Sequence, residues 1–151
     1  MPDELNTQTI DDAAARLAGV IHRTPLDLSE RLTSALGVPV LLKREDQQIG
    51  RSYKVRGAYN LISTLSPSER QRGVVCASAG NHGQGVAFAC KQLAIHGKVF
   101  LPSNTPRQKR DRIQALAGEI TYPLVRNLVD EVVRSEERRV GKECETMCRS
   151  R

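Results

Sequence analysis

The stretch Val74 to Cys90, VVCASAGNHGQGVAFAC, is the one on which the fold reading turns. Val74 to Ala77 form a short apolar run of the length and composition of a strand. Ser78-Ala79-Gly80-Asn81 then break that run with small and polar residues, and Val86, Ala89, Cys90 and Leu93 return at helical spacing. The sequence therefore predicts a strand, a tight turn and a helix. Backbone N–H groups at the start of such a helix can converge on an anion. The glycines at 80, 83 and 85 do not form the G-x-G-x-x-G dinucleotide pattern.

Outward from this unit the rhythm repeats. Upstream, Val55, Ala58, Tyr59, Ile62 and Leu65 share one face of a helix that begins near Ser52 and ends before Ser66-Pro67, which places Lys54 in its first turn. Downstream, Lys98 to Leu101 read as a strand. Thr105 is expected to cap the next helix, with Pro106 at its first position, Ile113 and Leu116 facing inward and Gly118 closing it. Alternation of this kind predicts an α/β fold with a parallel sheet and flanking helices. A further strand is expected over Glu119 to Tyr122, interrupted at Pro123.

Nearer the N-terminus, Thr9 followed by Asp12 suggests a helix start, with Ile10, Ala14, Leu17 and Ile21 as its apolar stripe and Thr24-Pro25 as its stop. A second helix fits Ser29 to Leu36, with Gly37 ending it, and Val40 to Leu42 read as a strand. Arg44 to Arg51 are expected to form a polar loop.

Composition narrows the function classes. The 151 residues are 39% apolar and 26% charged but only 3% aromatic, so the core must be built from Ala, Val, Leu and Ile. No apolar run approaches the ~20 residues of a membrane span, and Met1-Pro2-Asp3-Glu4 lacks a secretory pattern, which predicts a cytoplasmic protein with no membrane partner. The net charge of +6 comes from basic residues interleaved with acids, apart from a cluster at Arg107 to Arg112 that suits a solvated helix face. Without stacking aromatics, nucleic acid is not expected as a partner. Cys76 and Cys90 lie in apolar segments as core cysteines do, while Cys144 and Cys148 have no second pair or suitably spaced His, so no metal site is expected.

Lys54 is the residue with the clearest chemistry. An amine attacks an aldehyde only when unprotonated, and the positive end of a helix disfavours an ammonium group, which predisposes a first-turn lysine to Schiff-base chemistry. Taken by itself it reads as an ordinary exposed lysine. The Ser78 to Asn81 turn would by itself suit a simple capping turn, and His82 a packed or capping residue.

Three stretches taken together carry a resemblance: LLKREDQQIGRSYKVRGAYN at Leu41 to Asn60, ASAGNHGQGVAFA at Ala77 to Ala89, and LPSNTPRQKRDRIQALAGE at Leu101 to Glu119. Together with Asp11-Asp12-Ala13-Ala14 and Thr24-Pro25-Leu26, they resemble the threonine dehydratase branch of the fold type II pyridoxal-phosphate enzymes over about residues 8 to 120. The resemblance implies pyridoxal 5'-phosphate as cofactor, held by Lys54 within Ser-aromatic-Lys-x-Arg-Gly-Ala. It implies that Ser78, Ala79, Gly80, Asn81 and His82 receive the substrate's α-carboxylate, and that Asn81 bonds the cofactor's phenolic oxygen. Tyr53 stands where the family more often has Phe, and a hydroxyl buried there would need a partner. Arg56 and Lys43 to Asp46 read as structural ion pairs and loop anchors.

The activity implied is conversion of L-threonine to 2-oxobutanoate and ammonia, a step of isoleucine formation, by a homo-oligomer. Serine dehydratase and serine racemase share the same themes, so L-serine is an alternative substrate. A non-catalytic α/β binding module is a further alternative. In the family the glycine-rich phosphate loop and the group facing the pyridine nitrogen lie downstream of anything present here, so the chain reads as an inactive N-terminal fragment of a two-lobed architecture. Residues 1–50 would pack on the larger lobe, 51–124 would form the smaller lobe with the lysine, and 125–151 read as a charged, non-native tail. A half-built two-lobed protein is expected to expose apolar surface and to aggregate.

Overall fold

The computed structural model describes residues 5–102 and 104–117. Helix α1 (Thr7–Leu17) is followed by strand β1 (Leu26–Leu28), helix α2 (Glu30–Leu36), strand β2 (Leu41–Lys43) and two single 3₁₀ turns at Glu45–Gln47 and Ile49–Arg51. Helices α3 (Lys54–Ser63) and α4 (Pro67–Arg72), strand β3 (Val74–Ala77), helix α5 (Asn81–Gln92) and strand β4 (Gly97–Phe100) come next. Residues 107–117 are helical and are designated α6.

The core is assembled around α5. Every residue from Gly83 to Cys90 is buried, so this helix is covered on all sides and not along one stripe only. Val55, Ala58, Tyr59 and Ile62 of α3 pack on it, and Val99 of β4 with Ile113 and Ala117 of α6 belong to the same cluster. Val86, Val99 and Ile113 are essentially inaccessible, and each contributes about 1.5–3 kcal/mol of burial free energy. Strands β3 and β4 pair in parallel, with Val74 opposite Gly97 and Ala77 opposite Phe100. The parallel α/β unit expected from residues 74–101 is thus present.

The N-terminal part departs from expectation in several places. Asn6, not Thr9, caps α1: its side chain accepts from the Thr9 N–H at 2.9 Å while Thr9 Oγ1 accepts from the Asn6 N–H at 3.1 Å. This reciprocal pair satisfies two of the donors that a helix start leaves open. The helix ends at Leu17, with Gly19 in the left-handed region (φ 73), well before Thr24-Pro25. Ile10 and Ala14 of the expected stripe are exposed, while Leu17 and Ile21 pack against the core. Strand β1, absent from the sequence reading, pairs antiparallel with β2, Leu26 opposite Lys43. Three residues offer too little alternation to be read as a strand without the partner.

Helix α2 follows expectation, with Ser29 as cap and Gly37 left-handed (φ 70) at its end. Helix α4 was not anticipated, although Ser66-Pro67-Ser68-Glu69 contains a capping box in which Glu69 accepts from the Ser66 N–H at 2.8 Å. Among the described residues Thr105 does not cap α6 through its side chain: its buried Oγ1 has no hydrogen-bond partner there, while its backbone N–H donates to the Pro102 carbonyl at 2.9 Å. The strand expected over Glu119 to Tyr122, Gly118 and the tail from 125 lie outside the described residues.

Candidate active site

The start of α3 is set by an unusual approach. Gly50 and Arg51 both adopt left-handed conformations (φ 70 and 53), which glycine accepts readily and arginine only at a cost of about 1–3 kcal/mol. Ser52 then runs extended, and its Oγ accepts from the Lys54 N–H at 3.2 Å. Lys54 emerges as the first residue of α3, half-buried, with Nζ 5.1 Å from the centroid of the Tyr53 ring. Among the described residues it has no carboxylate partner. Tyr53 is 60% exposed. Its hydroxyl is therefore not buried, contrary to the sequence expectation, and needs no protein partner.

The same end of α3 is clamped from the N-terminal side. Arg56 donates to Glu45 twice, Nε to Oε2 at 3.0 Å and Nη2 to Oε1 at 2.6 Å, and Thr24 Oγ1 donates to the same carboxylate at 2.6 Å. The Arg56 bonds, followed by the Thr24 hydroxyl, outweigh desolvation and hold the Glu45 carboxyl below its usual range. Lys43 Nζ donates to the Thr24 carbonyl at 2.6 Å, and Arg44 bridges Asp27 and Asp46. These residues are structural anchors, as their composition suggested.

The turn at 78–82 is shaped by Ser78. Its backbone N–H donates to the Phe100 carbonyl at 3.0 Å, and its Oγ accepts from the N–H groups of Gly80 at 3.3 Å and Gly83 at 3.1 Å. The N–H groups of Asn81 and His82, in the first turn of α5, have no protein acceptor among the described residues. A Cβ at Gly80 would meet no atom within 4 Å, so the space beside the turn is open. At Gly83 a Cβ would stand 2.5 Å from the Ser78 carbonyl oxygen, so only glycine fits where the helix folds back on its own turn.

The two helix starts meet. A Cβ at Gly85 would stand 3.1 Å from both the Lys54 carbonyl oxygen and the Val55 Cα. His82 lies one turn before Gly85 on the same face of α5. Its imidazole is held below its ordinary range by burial and, secondarily, by the positive charge of Lys54. Lys54 and the 78–82 turn therefore share one side of the molecule, at the convergence of two positive helix ends. Ser78, Ala79, Gly80 and His82 are half-buried there and Asn81 is exposed.

Three structural roles escaped the sequence reading. Ser52 caps the lysine, Gly85 admits α3, and Gln84, 5% exposed, donates from Nε2 to Asn81 Oδ1 at 3.4 Å. A glutamine inside an otherwise apolar helical run was the available signal for the last. The groove between α1 and α3, lined by Ile10, Leu17, Ile21, Arg16 and Asn60 among others, includes neither Lys54 nor the turn.

A donor set of one carboxylate-free amine and two free backbone N–H groups beside open space fits an anionic aldehyde cofactor. The profile of the family described as pyridoxal-phosphate dependent enzyme matches residues 17–149. The biosynthetic L-threonine dehydratase of Mycobacterium leprae is 50% identical over 135 residues, covering 83% of this chain and 32% of that protein. That of Mycobacterium tuberculosis (strain H37Rv) is 56% identical over 115 residues, 76% of this chain and 27% of the relative. The processed form of threonine deaminase isoform 2 from Solanum lycopersicum superposes with a TM-score of 0.67 at 46% identity, covering 74% of this chain and 31% of that one. Maize serine racemase superposes at 0.69 with 29% identity, covering 83% and 42%. The chain thus spans about a third or less of the curated relatives it matches.

Proposed function

Because the chain belongs to the pyridoxal-phosphate-dependent enzyme family, we propose that it is the N-terminal, lysine-bearing part of an ammonia-lyase that converts L-threonine to 2-oxobutanoate and ammonia. The observation that carries this reading is the meeting of Lys54 with the 78–82 turn where α3 and α5 begin. When bound, pyridoxal phosphate supplies the electron sink for loss of the α-proton. Lys54 Nζ would hold the cofactor's aldehyde carbon and, as a free amine, would take the α-proton. The N–H groups of Asn81 and His82 would bind the substrate carboxylate, and the Asn81 side chain would bond the phenolic oxygen. Ser78 keeps the turn in shape by accepting from Gly80 and Gly83.

Identity to the tomato threonine deaminase exceeds that to serine racemase, 46% against 29%, which favours threonine over serine. Residues 1–50 pack on a larger lobe in the complete protein, a cytoplasmic homo-oligomer in this reading. Among the described residues no helix is long and apolar enough to cross a membrane. The test is an assay of the whole protein with L-threonine and L-serine side by side. Threonine is expected to be preferred, with Lys54→Ala lowering turnover at least about 100-fold and abolishing the absorbance band of lysine-bound cofactor. Preference for serine would overturn the substrate, and a Lys54→Ala enzyme with full turnover would overturn the site.

A further inference from the structure

Gln84 is a polar side chain in a buried stretch, Gly83 to Cys90, that is otherwise glycine and apolar. A primary amide is costly to bury without partners, and an apolar side chain of similar volume would suit that stretch better. Its Nε2 donates to Asn81 Oδ1, one turn earlier on the same helix. Its Oε1 and Cβ lie 3.5 and 3.8 Å from where a Cβ on Gly50 would stand, so the left-handed turn at Gly50 packs directly against it.

That bond decides which end of Asn81 faces outward. An asparagine amide can present a carbonyl acceptor or an NH₂ donor. With Oδ1 engaged by Gln84, Nδ2 and its two protons are left for the open side, where Asn81 makes no other side-chain hydrogen bond among the described residues. A donor placed against a phenolic oxygen favours its ionised form, whereas a carbonyl in the same place favours the protonated one. We propose that Gln84 is a positioning residue that locks the Asn81 amide donor-outward, so that the site selects the phenolate form of its pyridoxal cofactor. This rests on the role given to Asn81 above.

The test uses the full chain treated with pyridoxal 5'-phosphate and sodium borohydride. Hydride reduction fixes the cofactor to Lys54 as a secondary amine whose phenol titrates by ultraviolet absorbance. In Gln84→Glu the carboxylate accepts from Asn81 Nδ2 and turns Oδ1 outward, so the adduct's phenol should become at least about tenfold weaker as an acid, a larger change than in Asn81→Ala, which only removes the donor. Gln84→Met keeps the volume without the donor and should fall between Gln84→Glu and the parent, which decides the matter should the glutamate not fold. Unchanged acidity in the Gln84 variants, with Asn81→Ala weaker, would overturn the role of Gln84 and leave that of Asn81 standing. Identical acidity in all four proteins would remove both, and an adduct confined to another lysine would remove the site as well.

Discussion

At the scale of the residue, the chemistry rests on side chains whose surroundings fix their charge. His82 is half-buried and its imidazole titrates below the ordinary 6.5, through burial first and the Lys54 charge second. A histidine whose folded value lies below its unfolded one contributes stability that is complete above about 6.5 and is lost as pH falls through the folded value. Glu45 is likewise lowered, by Arg56, and its contribution is complete above about 4.5 and lost as pH falls further. Acid unfolding should therefore show two windows. In a thermal melt series from pH 8 to 3, His82→Gln should flatten the upper window and Glu45→Gln the lower, and a single window insensitive to both would contradict the assignment. Lys54 and the polar turn were legible in the sequence because both sit at predictable helix starts. The exposure of Tyr53 and the uncapped hydroxyl of Thr105 were not, since each depends on neighbours distant in the chain.

At the scale of the element, α5 is the part on which the others lean. Its helical spacing was readable from Val86, Ala89, Cys90 and Leu93, yet its burial on all sides was not, because small residues such as Gly83 and Gly85 mark close approach only once a neighbour is known. Gly83→Ala places a methyl group 2.5 Å from the Ser78 carbonyl oxygen, and Gly85→Ala places one 3.1 Å from the start of α3. Overpacking of this kind costs about 1–3 kcal/mol. Gly80 is extended (φ −121, ψ −157) with open space around its Cα, so Gly80→Ala should change stability by less than about 0.5 kcal/mol. Urea unfolding should rank the three Gly83, Gly85, Gly80 from most to least damaging, and an equal cost at Gly80 and Gly83 would disprove the tight fold-back. Strand β1 and helix α4 went unseen for a related reason: three and six residues carry little periodicity of their own, and β1 exists through its pairing with β2.

At the scale of the whole molecule, apolar surface is concentrated in one early stretch. Leu26, Leu28, Leu36, Val38 and Leu41, between the start of β1 and β2, are all more than half exposed, whereas in the longer later part only Tyr53, Leu61 and Val75 among the described large apolar side chains are comparably exposed. Such a cluster marks a face that is ordinarily covered, in keeping with the proposal that residues 1–50 pack on a larger lobe. The chain alone should self-associate, and Leu28→Lys with Leu41→Glu should reduce this in analytical ultracentrifugation, whereas a parent that sediments as a monomer at all concentrations would contradict the exposed face. The α/β class was legible from the alternation of residues 52–118, but the antiparallel β1–β2 pair was not.

The central claim is that the amine of residue 54 and the turn at 78–82 face one cofactor. Lys91, Lys98 and Lys109 are exposed while Lys54 is half-buried, so accessibility alone would direct pyridoxal phosphate to the first three. Limiting pyridoxal phosphate, borohydride reduction and peptide mapping should find the adduct predominantly on Lys54, and labelling spread among the lysines in proportion to their exposure would contradict the account.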